Sequence, residues 1–351
     1  MSEPVEGLGA AVGAGLVVGA AVCAALVPWT VTQARRWGII DEPGARSSHT
    51  VATPRLGGFG VAAGAVVGAG VGFGVLAAIS AGSAVRVVGV GAVVAAAVAF
   101  GVVGAVDDLR RGVPVSARLA AQGCLGVVAA MALVAVGDAG LATVGGVLGW
   151  GVAPVGIVGF VNACNFMDGV DGITGFVAIV AGIDLVAVGV VAGEPSLALL
   201  GAPLIGAAAG FLVFNLRPAT VFLGDGGSYL IGAWLAASMV LGIVLGVAPV
   251  ALLAVAVPYV ADTGATLVRR VRRGADWRAS HHEHTYQQLV ERGWSHRSVA
   301  GLVAGCCALC AALGGLAAVV PPAPGVVLVA AVLAVGGGYV ALPGRLRRRT
   351  G

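Results

Sequence analysis

Two short acidic motifs interrupt an otherwise apolar chain. Asp107 and Asp108 are adjacent and close one apolar stretch, and Asp225 lies between glycines at the start of another. Neighbouring carboxylates at the C-terminal end of a helix repel each other and oppose the helix dipole, so a divalent cation or a proton held by one acid would relieve the conflict. Carboxylate oxygens suit Mg²⁺, which bridges to substrate phosphates. The acids therefore indicate phosphate chemistry assisted by a metal, with helix-end polarity as the simpler alternative.

A third motif repeats amides and acids at intervals of three. Asn162, Asn165, Asp168 and Asp171 lie in a stretch that also contains glycine. This spacing places the side chains near one helix face or around a turn. A calcium-binding EF-hand is not indicated, because the twelve-residue loop and its final Glu are missing. Phe222 lies shortly before the lone acid Asp225, where its ring could stack on a base or face lipid.

Two basic segments complete the set of polar regions. The segment 41–58 carries Arg46 and His49 among Pro and Gly, which suits either a solvated loop or a loop facing a phosphate. The segment 262–296 holds an arginine run and four of the five histidines, including His282 and His284. The spacing of these histidines does not suit a zinc site. Charge stabilisation in a reaction explains the histidines, whereas contact with anionic lipid explains only the arginines.

Composition places these motifs in a membrane protein. Of 351 residues, 59% are hydrophobic and only 10% are charged, with a mean hydropathy of +1.01, against about 25% charged residues in soluble domains. Such a chain could not cover a soluble surface, and it is too apolar to be disordered. The net charge of +4 is too small for a nucleic-acid-binding protein. The six cysteines lack the spacing of a metal finger and are expected to be buried hydrophobic residues.

The apolar runs predict an all-α, polytopic integral membrane bundle that forms a single domain over residues 1–351. Each run has about the 20 residues that a membrane-spanning helix needs, and none alternates as a barrel strand would. We expect ten or eleven spans, and the division within 228–264 is the weakest. The eleven ranges are 8–29, 59–80, 86–106, 118–137, 143–161, 172–192, 197–214, 228–246, 247–264, 299–320 and 325–342.

The arginines predict the orientation. With the N-terminus outside, nineteen of the twenty fall on one side and only Arg86 falls on the other, which identifies the arginine-rich side as the cytoplasm. The C-terminus and all five polar motifs then lie on that side, and the candidate catalytic loops are 30–58, 107–117, 162–171, 215–227 and 265–298. Asp184 lies in the middle of a span and receives no role.

In the order in which they occur, these motifs resemble a known family. "DEPGARSSHTVATPRLGG", "GAVDDL", "NACNFMDGVDGITG", "FLGDGGS" and "HHEHTYQQLVERGWSH" resemble motifs of the polyprenyl-phosphate N-acetylhexosamine-1-phosphate transferases. That family has ten or eleven membrane helices and a cytoplasmic site. The resemblance implies transfer of a sugar 1-phosphate from a UDP-sugar to a polyprenyl phosphate with release of UMP. Such a reaction starts the synthesis of lipid-linked cell-envelope glycans in the bacterial inner membrane.

The resemblance also implies roles for individual residues. Asp225, with Asp108, would bind Mg²⁺, with Mn²⁺ as an alternative. Asp107 and Asp108 would act at the reacting phosphates, with one of them deprotonating the lipid phosphate or forming a covalent intermediate. His282 and His284 match the family's histidine motif and are expected to be catalytic. The residues expected to bind substrate are Asn162, Asn165, Asp168, Asp171, Phe222, Arg118, Arg46 and His49.

Two departures from the family pattern affect the identity of the sugar. Family members usually carry a Lys after the acidic pair, whereas this chain has no Lys and offers Arg118 there. Thr285 stands where another His is expected, and the "HTYQ" sequence is more similar to the O-antigen and teichoic branch. The alternatives are a phospho-MurNAc-pentapeptide transferase, a cation-coupled transporter and a membrane scaffold. Expected partners are the two substrates and the bilayer, with a homodimer left open and no nucleic acid.

Overall fold

The structure is a computed structural model that describes residues 6–43, 51–79, 87–110, 113–136, 151–216, 218–276 and 282–347. It is almost entirely helical. The helices are α1 (Leu8–Trp37), α2 (Gly57–Ile79), α3 (Val87–Leu109), α4 (Val115–Val134), α5 (Ala153–Met167), α6 (Ile173–Ala192), α7 (Pro195–Asn215), α8 (Gly224–Val244), α9 (Pro249–Leu253), α10 (Val257–Arg272), α11 (Thr285–Glu291), α12 (His296–Val319) and α13 (Pro322–Arg347). A 3-10 turn, Ala254–Ala256, joins α9 to α10.

The prediction of a polytopic helical membrane protein is confirmed. Within the described residues, ten helical segments are long and apolar enough to cross a bilayer, and Pro249–Arg272 forms one of them. The uncertain break in 228–264 occurs where α8 ends at Val244 and Gly246 adopts a φ of 88°. The predicted span 143–161 corresponds only to α5, which has 15 residues, and residues 143–150 lie outside the described ranges. The orientation in the membrane stays a prediction.

The centre of the bundle is formed by α7 and α8, of whose spans 78% and 89% are buried. Both helices are apolar on all sides, as expected for elements surrounded by other helices. Glycine allows their neighbours to approach closely. On α3, Gly101 and Gly104 face α8, and a Cβ at Gly104 would lie 2.2 Å from the carbonyl oxygen of Asp225. The two helices that carry the acidic motifs therefore touch through their backbones.

Replacing Gly104 by Ala should destabilise the protein and disturb the acidic motifs. The added methyl group cannot be accommodated unless α3 or α8 shifts, and overpacking of this kind costs about 1–3 kcal/mol. The measurement is the temperature of half-maximal unfolding in detergent. Gly91→Ala is the control, since Gly91 lies on the same helix with nothing within 4 Å of its Cβ position. An equal unfolding temperature for both variants would contradict the close helix contact.

A two-stranded pairing brings the first polar loop onto the ends of these helices. Strand β1 (Ile40–Asp41) pairs antiparallel with β2 (Thr53–Pro54). The Phe222 N–H donates to the carbonyl of Pro54 at 2.8 Å, and the Gly57 N–H donates to the carbonyl of Phe222 at 3.0 Å. Arg55, which directly follows β2, is thereby held beside the segment that leads into α8.

Candidate functional site

The acidic motifs and two arginines meet around one cavity. Asp107 and Asp108 end α3, Asp225 lies in the first turn of α8, Arg118 lies in the first turn of α4, and Arg55 follows β2. The cavity has a volume of about 290 Å³. It is lined by Ile39, Ile40, Arg55, Asp107, Asp108, Val113, Arg118 and Asp225. Three carboxyl groups and two guanidinium groups thus converge from parts of the sequence that are far apart.

Asp108 is almost completely buried and is partly compensated. Its side chain is 2% exposed, its Oδ2 accepts the Gly226 N–H at 2.9 Å, and its Oδ1 lies 3.4 Å from a guanidinium nitrogen of Arg55. The Gly226 N–H belongs to the first turn of α8, where the helix dipole favours a negative charge. The conflict expected from an acid at the end of α3 is therefore relieved in part by the start of another helix.

Arg55 connects the two acidic motifs. The guanidinium nitrogen that faces Asp108 also lies 3.6 Å from Oδ1 of Asp225. Burial lowers the pKa of Arg55, but the carboxylates of Asp108, Asp225, Asp41 and Asp168 outweigh this effect and raise the pKa overall. Arg55 therefore remains charged and supplies a permanent cation between the two carboxyl groups.

The second arginine is paired with the other member of the acidic pair. Arg118 forms a salt bridge and a hydrogen bond with Oδ2 of Asp107. The Asp107 side chain is 10% exposed, more than that of Asp108. A planar guanidinium suits phosphate binding but does not carry protons. Arg118 thus offers a phosphate contact where the family resemblance would lead one to expect a lysine.

Asn165 fixes the position of Asp225. Its Nδ2 donates to Oδ1 of Asp225 at 2.9 Å and lies 3.0 Å from the hydroxyl of Ser228. Asn162, one turn earlier on α5, donates instead to Oε1 of Gln122 at 2.7 Å and to the carbonyl of Val158 at 2.8 Å. Of these two predicted substrate-binding residues, Asn165 therefore lies against the acidic centre, whereas Asn162 connects α5 to α4.

The two acids that follow α5 have different surroundings. Asp168 is partly exposed at its surface. Burial of its carboxyl group raises its pKa to about 7, the Thr174 hydroxyl lowers this pKa and the charge of Asp225 raises it further. Asp171 is 7% exposed and its Oδ2 lies 3.1 Å from Nδ1 of His296. Asp168 is therefore close enough to Asp225 to interact electrostatically, whereas Asp171 connects its loop to the start of α12.

The histidine motif lies beside α5 and α10. His284 is 4% exposed, and its ring stacks with those of Phe166 and Tyr286 at centroid distances of 6.2 and 5.8 Å. Its Nδ1 lies 3.4 Å from Oδ1 of Asp262. His282, two residues earlier, is partly exposed. Neither residue lines the cavity, so their predicted part in catalysis stays a prediction.

The remaining predicted residues are placed as follows. Phe222 is partly exposed, and its backbone holds β2 as described above. Stacking of its ring on a base stays a prediction. Arg46 and His49 lie outside the described residues.

Several residues at the site had not been singled out from the sequence. Arg55 and Ser228 were part of quoted motifs but were not assigned a role, and Gln122 was not singled out. Asn215 accepts the Gly172 N–H at 2.7 Å and donates to the carbonyl of Val221 at 3.0 Å, so it joins the loop after α5 to the segment before α8. An asparagine at the end of an apolar helix, next to a turn, was the available signal.

The donor set fits a magnesium ion that is shared with a substrate. Within the described ranges, no three His, Cys, Asp or Glu side chains are grouped so that they could hold a metal by themselves. Asp108 and Asp225 do, however, approach the same guanidinium, and Oδ1 of Asp108 is buried without a hydrogen-bond partner there. Since Mg²⁺ is commonly held by one or two carboxylates, waters and substrate phosphates, Asp108 and Asp225 are suitable ligands once a diphosphate is present.

Comparison with known proteins points to one family. The sequence model of glycosyl transferase family 4 matches residues 90–243, which include the acidic pair, Asn165 and Asp225. A "Phospho-N-acetylmuramoyl-pentapeptide-transferase" of Streptococcus thermophilus is 41% identical over 90 residues, or 25% of each chain. A "Probable undecaprenyl-phosphate N-acetylglucosaminyl 1-phosphate transferase" of Bacillus subtilis is 30% identical over 125 residues, or 34% of each chain.

A third relative gives a similar result. The "Decaprenyl-phosphate N-acetylglucosaminephosphotransferase" of Mycobacterium leprae is 32% identical over 120 residues, or 30% of each chain. The chain thus spans about a quarter to a third of the length of these curated relatives. The resemblance seen in the sequence motifs is confirmed at the level of the family.

Proposed function

Because residues 90–243 match the sequence model of glycosyl transferase family 4, we propose that the chain transfers a sugar 1-phosphate from a UDP-sugar to a polyprenyl phosphate and releases UMP. The observation that carries this proposal is the convergence of Asp107, Asp108 and Asp225 with two arginines around one cavity. A membrane-embedded helical bundle gives a polyprenyl chain an apolar environment next to that cavity. The cavity itself offers positive charge for phosphates and carboxylates for a proton and a metal.

The reaction is a displacement at phosphorus. An oxygen of the polyprenyl phosphate attacks the β-phosphorus of the UDP-sugar, the bond from that phosphorus to the bridging oxygen breaks, and UMP departs with the bond electrons. Arg55 and Arg118 are placed to hold phosphate oxygens and to stabilise the charge that develops on them. Mg²⁺ bound to Asp225 and Asp108 would supply further charge neutralisation at the diphosphate.

Asp107 is the more accessible member of the adjacent pair. Both oxygens of Asp108 face a partner, the Gly226 N–H or Arg55, and its side chain is 2% exposed, whereas Asp107 is paired with Arg118 through one oxygen and is 10% exposed. A general base must reach the proton that it removes. We therefore assign deprotonation of the lipid phosphate to Asp107 and positioning and metal binding to Asp108. The site would face the cytoplasm of a bacterial inner membrane, as the arginine distribution predicts.

The test is UMP release by the purified full-length protein in liposomes. UDP-N-acetylglucosamine and other UDP-N-acetylhexosamines are supplied one at a time, each with and without undecaprenyl phosphate. Release of UMP should require both substrates, stop when EDTA removes divalent cations and return with added Mg²⁺. A protein that releases no UMP from any of the UDP-sugars would contradict the proposal, and release that persists in EDTA would remove the metal from it.

A second candidate differs only in the sugar nucleotide. The Streptococcus thermophilus relative is named a phospho-N-acetylmuramoyl-pentapeptide transferase and has the highest identity of the three relatives described, over a shorter match. The same assay with UDP-MurNAc-pentapeptide distinguishes the two candidates. We expect faster turnover with an N-acetylhexosamine, because the histidine segment has the "HTYQ" sequence that is more similar to the O-antigen and teichoic branch.

A further inference from the structure

A buried carboxylate outside the cavity gathers donors from three helices. Asp262, on α10, is 0% exposed. The Thr285 N–H donates to both of its oxygens, at 2.9 and 3.0 Å, and the Tyr339 hydroxyl of α13 donates to Oδ2 at 3.0 Å. The Thr266 hydroxyl donates to Oδ1 at 3.3 Å. A buried charge is costly unless it is well hydrogen-bonded, so these partners stabilise Asp262 in this position.

These contacts fix the beginning of α11, because Thr285 is its first residue. The next residue, Tyr286, is 1% exposed, and its hydroxyl donates to the carbonyl of Phe166 at 3.0 Å. The hydroxyl also occupies the space beside Gly169, where a Cβ would lie 2.0 Å from it. The position of α11 therefore determines how the turn at the end of α5 is supported.

That turn carries a residue of the acidic centre. Phe166 directly follows Asn165, whose side chain donates to Asp225 at 2.9 Å. A continuous series of contacts thus runs from Asp262 through Thr285, Tyr286 and Phe166 to Asn165 and Asp225. A second tie supports the same segment, since Arg270 of α10 pairs with Glu283 at 2.6 Å.

We propose that Asp262 is a positioning residue that, through α11, sets the placement of Asn165 against Asp225. This inference rests on the proposed function for its catalytic consequence, but the physical link can be tested without turnover. The buried ring of His284 belongs to the same arrangement, as packing between Phe166 and Tyr286. The histidine segment therefore supports the acidic centre indirectly, through its contacts with the end of α5.

The physical link is tested by hydrogen–deuterium exchange of the full-length protein in detergent. Tyr286→Phe removes one hydroxyl, and Asp262→Asn removes the charge while keeping the shape of the side chain. Both variants should show at least severalfold faster exchange in peptides that cover 164–170, and Asp262→Asn should also do so in 284–290. The control is Asp184→Asn, because Asp184 is a buried acid of another span and lies outside the cavity lining. Unchanged exchange at 164–170 in Tyr286→Phe would overturn the proposal.

The catalytic consequence is tested by the rate of UMP release. We expect kcat to fall about tenfold in Asp262→Asn with the KM for the UDP-sugar changing less than about twofold, because displaced reacting groups slow the chemical step. The effects of Asp262→Asn and Asn165→Ala should be less than additive, as for residues that act through one another. Additive effects would reduce Asp262 to a general structural role and overturn the proposal. A wild-type protein without UMP release would defeat the proposed function, while the exchange result would still decide the physical link.

Discussion

Asp225→Asn should reduce the rate of UMP release by about 100- to 1000-fold, the loss typical when a group that stabilises transferring charge is removed. Asp225 is the point at which the other groups meet. Its Oδ1 accepts the Asn165 amide at 2.9 Å and lies 3.6 Å from a guanidinium nitrogen of Arg55, and its side chain lines the same cavity as Asp107. An asparagine retains an oxygen that can accept from Asn165 but removes the negative charge that a metal ion would need.

The design of this experiment separates chemistry from folding. Asp184→Asn makes the same chemical change at a buried acid outside the cavity lining and should leave the rate within about twofold of the wild type, as remote substitutions usually do. Unfolding temperatures in detergent should be similar for both variants. If Asp225→Asn retained most of the activity while the wild type required Mg²⁺, the metal would have to be held elsewhere, and the assignment of Asp225 would be wrong.

The parts of the fold that follow from local sequence could be predicted. Apolar runs of about 20 residues define the spans, and the acidic motifs are found where those runs end. The break after α8 was the least certain division, yet the positive φ of Gly246 marks it in the structure. The shortness of α5 could not be read from the sequence, because the apolar run around it continues beyond the helix towards residues 143–150.

The parts of the site that depend on contacts between distant residues could not be predicted. The family resemblance implies that Asp171 lines the substrate pocket, which stays a prediction, and nothing in the sequence indicated that its partner would be His296, 125 residues away. Arg55 was not assigned a role from the sequence. It lies between the two acidic motifs only because β1 pairs with β2 and β2 contacts Phe222. Residue type and spacing thus identified the acids, while the tertiary fold selected their partners.

The surroundings of Asp108 show why contacts between distant residues matter for function. From the sequence, an acid at the end of α3 was expected to need a metal or a proton to offset the helix dipole. In the structure, the Gly226 N–H and the Arg55 guanidinium already meet its two oxygens. The buried acid is therefore partly compensated before any substrate is bound, and we expect Arg55 to exchange part of its contact with the carboxylates for contact with a phosphate when a metal binds there.

That exchange leads to the second large effect. Arg55→Gln should lower kcat/KM for UMP release by about 100-fold, because removing one partner of a buried ion pair leaves the other charge uncompensated and also removes a phosphate contact. The Arg55 side chain is 35% exposed, so solvent screening reduces the electrostatic part of the loss in kcat/KM. Asp108 is only 2% exposed, so its charge is screened little. The lost compensation of Asp108 therefore dominates over the change at the more exposed Asp225.

Arg55→Lys separates charge from geometry. A lysine restores the positive charge but presents a single ammonium group, which cannot address two carboxylates and a phosphate in the way that a planar guanidinium can. We expect it to recover roughly a tenth of the wild-type kcat/KM, a loss of about 1.4 kcal/mol in transition-state stabilisation. Arg273→Gln is the matched control, because Arg273 is 68% exposed and contacts Glu283 rather than the cavity. Full activity in Arg55→Lys would mean that charge alone is sufficient, and full activity in Arg55→Gln would mean that the acids are compensated without Arg55.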